Sequence, residues 1–407
     1  MIGVPFARME TPRIAIVGTG LRGRSVLHEL LGVGGVKITA LCDVVPEKVA
    51  MARAQMQKAG HDYPVATFTA GERGFEQLVA RDDIDLVYTA TPWQWHTPVC
   101  LAAMTHGKHA ATEVPAAYTI EDCWALVDTS ERTRRHCIMM ENCNYGYNEL
   151  LVLNMVRAGL FGELKHGGAA YNHDLREVVF EHADEGLWRH AHHTLRNSNL
   201  YPTHGLGPVA MYMDINRGDR LDYLVSMSTP EQGLTKWRDE HQATEMATNG
   251  ERYVTGDLNV SLLKTARGRT IRLEHDVSSP RPYSRINSIQ GSKGLFEDYP
   301  PRIYLDGMTP QHRWQEIDAF KAEHEHELWR TLGEQARSGG HGGMDFVMAW
   351  RLVQRMRDGL VPDLDVYDAA AWSVPGPLSE ASVKKGSAPM AFPDFTRGKW
   401  QEQRRTL

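Results

Sequence analysis

Cysteine, charge of one sign and long apolar runs are all in short supply in this 407-residue sequence. Its five cysteines (Cys42, Cys100, Cys123, Cys137 and Cys143) are odd in number and lack C-x-x-C spacing. That excludes a disulfide-stapled scaffold and predicts reduced core thiols in a reducing compartment. Lys and Arg (45) against Asp and Glu (51) leave a net charge of −6, which offers no field for gathering nucleic acid or an anionic membrane. No apolar run reaches the about 20 residues that cross a bilayer. Residues 1–9 hold one arginine and no apolar segment ending in small residues. A cytoplasmic location is therefore expected, with a periplasmic or exported one open if a signal segment has been removed. What is present, 42% hydrophobic and 24% charged residues, is the balance of a globular protein of two or three domains at roughly 150 residues each.

Residues 13–17 (Arg-Ile-Ala-Ile-Val) read as an apolar strand, followed at once by Gly18-Thr19-Gly20-Leu21-Arg22-Gly23 and then by leucines at helical spacing. A second apolar run, 36–42, ends in Asp43, 20 residues beyond Gly23. Gly18 suits a tight turn, Gly20 the approach of a pyrophosphate to the backbone, and Gly23 close packing of helix on strand. The helix N-terminus offers N–H groups and a positive dipole to phosphates. Asp43 fits a ribose 2′-hydroxyl and repels a 2′-phosphate, which favours NAD, although Arg22 could pair with phosphate and leaves the choice of cofactor less fixed. The preceding strand, the following helix and the acid 20 residues on make the glycine motif specific. Strand and helix signals keep alternating to Asn142, as a doubly wound parallel sheet requires. Strand 84–90 runs into a loop, Thr91-Pro92-Trp93-Gln94-Trp95-His96, with a helix expected over 98–106. Strand 108–112 runs into Glu113-Val114-Pro115, and strand 137–141 into Asn142. Ligands of such sheets bind outside the carboxyl ends of the strands, so these loops are expected to share one crevice with the glycine turn. Trp93 and Trp95 serve equally well as plugs of a loop into the core.

From about residue 148 the pattern changes to alternating strands with few helices between them, which predicts a mainly antiparallel open sheet. Helices are expected over 316–336 and 344–358. The expected organisation is a Rossmann domain over 1–145, an α+β substrate domain over 146–370, and a Pro- and Gly-rich wrapping tail over 371–407. The densest chemistry lies between Tyr171 and His204 and includes His173, Asp174, Arg176, His182, Trp188, Arg189, His190, His192, His193 and Arg196. Its histidines lack H-x-x-x-H spacing with a nearby Glu, so no metal site is expected. In Tyr201-Pro202-Thr203-His204-Gly205 the histidine is bracketed by Pro and Gly, which suits a positioned side chain, though a structural histidine would satisfy the same pattern.

A Rossmann half followed by an open antiparallel sheet resembles the Gfo/Idh/MocA oxidoreductases. In most of those the fifth strand ends in Glu-Lys-Pro, whereas Glu113-Val114-Pro115 here lacks the lysine that joins hydride chemistry. The departure is similar to family 109 glycoside hydrolases. That resemblance rests on Trp93-Gln94-Trp95-His96, Glu113-Val114, Asn142, Tyr201 to His204 and Phe395-Thr396-Arg397-Gly398-Lys399-Trp400. It implies an α-N-acetylgalactosaminidase with tightly held NAD. Leu21, Arg22, Asp43, Trp93 to His96, Glu113, Val114 and Asn142 would then contact the cofactor. Tyr171, Arg189, Tyr201, Pro202, Thr203, His204 and Tyr283 would hold the sugar, with Tyr201 touching both ligands. His204 is the implied catalytic residue, with Tyr201 and Tyr171 as candidate helpers.

Such a route oxidises sugar C3, which acidifies the C2 proton, eliminates the C1 leaving group, adds water and reduces C3 again, leaving NAD unconsumed. His204 suits the proton transfer. Tyr171 and Tyr283 suit hydroxyl contacts or packing with a hydrogen-bonded tip. Arg189 suits a planar contact to a sugar oxygen. The alternatives are an NAD-dependent sugar dehydrogenase that releases NADH and a keto-sugar, and a non-catalytic cofactor-binding protein. The expected partner is a small molecule or glycan with a terminal sugar, and the sheet's free face offers an interface for a homo-oligomer by analogy only.

Overall fold

The computed structural model describes residues 1–181, 183, 185–241, 250–404 and 407. His182 lies outside the described residues. The chain divides into two units.

The first unit comprises Met1–Gly146 with Leu328–Ala370. Its sheet holds β1 (Arg13–Val17), β2 (Lys37–Cys42), β3 (Ala66–Phe68), β4 (Leu86–Thr89), β5 (His109–Thr112) and β6 (Cys137–Met139). All pair in parallel in the order β3-β2-β1-β4-β5-β6. Parallel strands are covered on both faces and so read as near-continuous apolar runs; β4 is buried throughout and β1 everywhere past Arg13. The order reverses between β1 and β4, and the crevice for a ligand lies outside the carboxyl ends there. Helix Leu21–Val33 follows β1, and helix Met344–Asp358 packs against it. All five cysteines are free and buried in this unit. One local expectation fails. Trp93 to His96 do not form a loop: the helix starts at Trp93, capped by Pro92 in an extended conformation (ψ 151°), and Pro98 sits inside it. Proline favours a first turn, which drew the expected start to Pro98. Here it falls in the second turn, where it removes the donor that would reach the Gln94 carbonyl.

The second unit comprises Tyr147–Glu327 with Ala371–Arg404. Its sheet holds β7 (Leu164–Asn172), β8 (Leu221–Ser228), β9 (Asn259–Thr265), β10 (Thr270–Asp276), β11 (Ser288–Gly291), β12 (Gly294–Glu297), β13 (Arg302–Leu305), β14 (Gln315–Glu316) and β15 (Met390–Ala391). The order is β14-β13-β12-β11-β7-β10-β9-β8-β15. Every pair is antiparallel except β7 with β10. The class is therefore a mostly antiparallel mixed sheet. Helix Thr203–Tyr212 packs on β7. The segment after Ala371 forms helix Pro375–Lys384, which lies against β8, and β15, which extends the sheet edge. Among the described residues no helix is long and apolar enough to cross a membrane.

Candidate functional site

The residues expected to carry function fall into two sets, one in each unit. The first set lies at the carboxyl ends of β1, β2, β4, β5 and β6. Gly18 has φ +86°, and a Cβ there would stand 2.6 Å from the Ala90 carbonyl oxygen; at Gly23 it would stand 1.8 Å from the Gly18 oxygen. Only glycine allows this turn to close against β4. Gly20 caps helix Leu21–Val33 with extended backbone, no side chain caps it, and its first turn has no acid. The leading N–H groups and the helix dipole are thus arranged for an anion. Asp43 stands beside them, its Oδ2 accepting from Thr19 N at 2.7 Å and its Oδ1 from Val45 N at 2.9 Å. A capless helix end beside a strand-end carboxylate is the donor and acceptor set that a dinucleotide's pyrophosphate and ribose require.

Arg22 leans out of that first turn onto two carboxylates. Its Nε donates to Glu113 Oε1 at 2.8 Å, and its Nη1 donates to Asp345 Oδ2 at 2.6 Å. The Tyr88 hydroxyl donates to the same Glu113 oxygen at 2.6 Å. Burial opposes the charge on Arg22, but Glu113 and Asp345 outweigh it and hold the guanidinium firmly protonated. Asn142 Nδ2 donates to Asp345 Oδ1 at 2.7 Å. Both ring nitrogens of His96 meet backbone carbonyls, Pro115 O at 2.7 Å and Thr91 O at 2.8 Å. His96 therefore braces the turn after β4 against the one after β5. Burial pushes its pKa down. Trp93 is buried, Gln94 is exposed, and the Trp95 ring meets Phe75 edge-on at 5.9 Å. Val114 is buried.

Asp345 and His341 belong to no motif of the sequence. The glycines around His341 were a signal: His341, Gly342 and Gly343 all have positive φ (51°, 69° and 97°). That turn puts His341 Nδ1 2.7 Å from Asp345 Oδ2.

The second set surrounds Tyr171 on β7. Its ring lies 4.5 Å from that of Tyr201, 5.7 Å from His204 and 6.2 Å from Tyr283. His275, its register partner on β10, stacks at 6.4 Å. Tyr201 meets His204 edge-on at 4.9 Å. Tyr171 Oη lies 3.3 Å from His173 Nδ1, and His173 faces Tyr283 at 5.0 Å. Buried Arg189 reaches over the Tyr201 ring (5.3 Å) and the Trp188 ring (4.9 Å), and its Nε donates to Glu185 at 2.6 Å. Tyr283 Oη accepts from Arg285 Nη1 at 3.2 Å, and Arg285 pairs with buried Glu149. Helix Thr203–Tyr212 brings His204 in because Gly205 lies directly on β7: a Cβ there would sit 2.3 Å from Ala170 N. Pro202 caps that helix.

Thr203 Oγ1 and His275 Nδ1 are buried and have no hydrogen-bond partner among the described residues. Burial, reinforced by Arg189, pushes His275 down to about 3, so it is neutral at ordinary pH. The same causes lower His173. Other members of the dense segment hold the scaffold instead. Asp174 pairs with Arg176, and His190 meets Glu251 at 2.7 Å. The residues 395–400 motif is also a local brace, with buried Phe395 and with Thr396 Oγ1 accepting from Trp400 N at 3.0 Å. Imidazoles, phenols and guanidinium groups around aromatic faces suit the hydroxyls and C–H faces of a sugar ring.

The fold and the first set define an NAD-binding Rossmann protein of the Gfo/Idh/MocA type. The profile of the oxidoreductase family with NAD-binding Rossmann fold matches residues 12–141. The profile of the glycosyl hydrolase 109 C-terminal domain matches residues 145–402. The chain belongs to glycosyl hydrolase family 109, a family of enzymes that act on glycosides. It is 59% identical to the glycosyl hydrolase family 109 protein of Solibacter usitatus, over 98% of this chain and 92% of the relative. It is 47% identical to the alpha-N-acetylgalactosaminidase of Shewanella oneidensis, over 98% of this chain and 88% of that one. Among solved structures, a levoglucosan dehydrogenase with NADH and levoglucosan superposes with a TM-score of 0.71 at 16% identity, covering 94% of this chain and all of that one. An inositol dehydrogenase homolog with NAD+ from Azotobacter vinelandii superposes at 0.68 and 17%, covering 96% of this chain and all of that one. Those two likenesses establish the fold alone.

Proposed function

We propose that this protein is an α-N-acetylgalactosaminidase that uses NAD without consuming it. The observation that carries the reading is the Tyr171–Tyr201–His204 cluster flanked by buried Arg189, in a family 109 chain that has an NAD-binding domain. Gly18, Gly20, Leu21, Arg22, Gly23 and Asp43 hold the dinucleotide, together with Trp93 to His96, Glu113, Val114 and Asn142. When bound, NAD supplies a reversible hydride acceptor, which lets a sugar alcohol pass through a ketone and labilise the neighbouring bonds. The chain's own residues bind, orient and move protons. Tyr171, Tyr201 and Tyr283 present ring faces and hydroxyls to the terminal sugar, and Thr203 with Pro202 shapes its floor. Arg189 fixes a ring oxygen or the N-acetyl carbonyl with its planar fork. His204 takes and returns a proton, the task suited to an imidazole near neutral pH. Val114 stands where most members of the wider oxidoreductase class carry lysine, which supports a hydrolase over a dehydrogenase.

The test is a panel of aryl glycosides assayed with and without added NAD. Release of phenol from the N-acetyl-α-galactosaminide with no net NADH is the expected result. Stoichiometric NADH with an intact glycoside would instead establish a sugar dehydrogenase. A substrate deuterated at C2 is expected to lose label to water during hydrolysis, and full retention would exclude the elimination step.

A further inference from the structure

Asp345 occupies a place in the first unit that its distance along the chain conceals. It lies in the first turn of helix Met344–Asp358, its side chain is 1% exposed, and both of its oxygens accept hydrogen bonds. Oδ2 accepts from Arg22 Nη1 at 2.6 Å and faces His341 Nδ1 at 2.7 Å. Oδ1 accepts from Asn142 Nδ2 at 2.7 Å and Arg22 Nη2 at 3.3 Å. A buried carboxylate with these donors stays ionised: burial alone would raise its pKa, but His341 and Arg22 hold it well below the usual carboxylate range. Two consequences follow from the geometry. A guanidinium has five N–H groups in one plane. Arg22 spends three of them on Glu113 and Asp345, so the direction of the remaining two is fixed. The Asn142 amide is likewise fixed: its nitrogen donates to Asp345 Oδ1 and its oxygen accepts from the Cys143 thiol at 3.5 Å.

We propose that Asp345 is the positioning residue of the dinucleotide site, setting the orientation of Arg22 and Asn142 for NAD, with His341 as the rim group that completes its hydrogen bonds. The proposal rests on the NAD-binding part of the reading above and not on the glycoside chemistry. Replacing the carboxylate by an amide turns an acceptor into a donor. That sets N–H against N–H at Arg22 or Asn142 and leaves half of a charge pair unmatched.

The experiment is a double-mutant cycle on the Kd for NAD of the full chain, read by tryptophan fluorescence, with Asp345→Asn, Arg22→Gln and the double variant. Each single change is expected to weaken NAD by about ten-fold or more. The double variant is expected to be no worse than about three-fold beyond the weaker single, because both remove one interaction. Thermal unfolding without NAD serves as the folding control. Additive losses, or an unchanged Kd in folded Asp345→Asn, overturn the proposal. If Asp345→Asn does not fold, His341→Leu decides: it removes an exposed donor, and about three-fold weaker NAD at unchanged Tm is expected. An unchanged Kd in that variant overturns the proposal as well. Wild-type protein that binds NAD but cleaves no glycoside sinks the functional reading while leaving this one standing.

Discussion

The two units build their sites from opposite materials. In the first, the site is backbone and charge: a capless helix end, a strand-end aspartate, and Arg22 held between Glu113 and Asp345. In the second it is ring faces, with Tyr171 ringed by Tyr201, His204, His275 and Tyr283. The contrast matches what we propose each holds. A pyrophosphate is recognised by dipoles and N–H groups that hardly vary among proteins. A sugar is recognised by where its hydroxyls and C–H faces point, which takes side chains from several elements.

Four measurements break or sharpen that contrast. The largest effect is expected from His204→Ala, with cleavage of an aryl N-acetyl-α-galactosaminide falling by about 100-fold or more. NAD retained after gel filtration should stay unchanged. Loss of NAD with the same substitution would merge the two sites into one.

Next comes acid. In the first unit His109 and His136 stack at 5.1 Å, and burial holds them neutral, pushed down to about 3 and about 4. Unfolded histidine titrates near about 6.5. Below that pH the unfolded chain binds protons that the folded one refuses, so stability falls as pH drops from about 6.5 towards about 4. The slope approaches 1.4 kcal/mol per pH unit for each histidine, about the full linkage value. Urea midpoints at pH 7 and pH 5 measure it, and equal midpoints would show that these rings are protonated in the fold.

Gly205→Ala is third. Its methyl meets the β7 backbone, so destabilisation of about 1–3 kcal/mol is expected from overpacking, together with loss of cleavage and intact NAD binding. Unchanged Tm and rate would mean that the helix is free to shift. The smallest effect is at Asp43. Asp43→Ser is expected to lower the preference for NAD over NADP by about ten-fold, about 1.4 kcal/mol, as measured by the ratio of the two Kd values. An unchanged ratio would move cofactor choice to Arg22.

Much of the first unit is legible from residues 13–43, because its turn, helix and acid are near neighbours in sequence and each has a mechanical reason to be there. Strand alternation likewise announces the antiparallel sheet. The start of the helix at Trp93 was hidden, since Pro98 imitates a first-turn proline while Pro92 caps the real one. Asp345 was hidden more deeply: its partners Arg22 and Asn142 stand 323 and 203 positions away, and no periodicity links such separations. His275 was hidden because it reads as one more inward residue of a strand. Only the β7–β10 register places it beside Tyr171.

At Gly205 helix and strand touch main chain to main chain. At that one point no side chain separates them, so the approach of the rings carried by Tyr171 and His204 is set largely by the covalent skeleton. A single added methyl group on the helix at that point would alter the spacing at once.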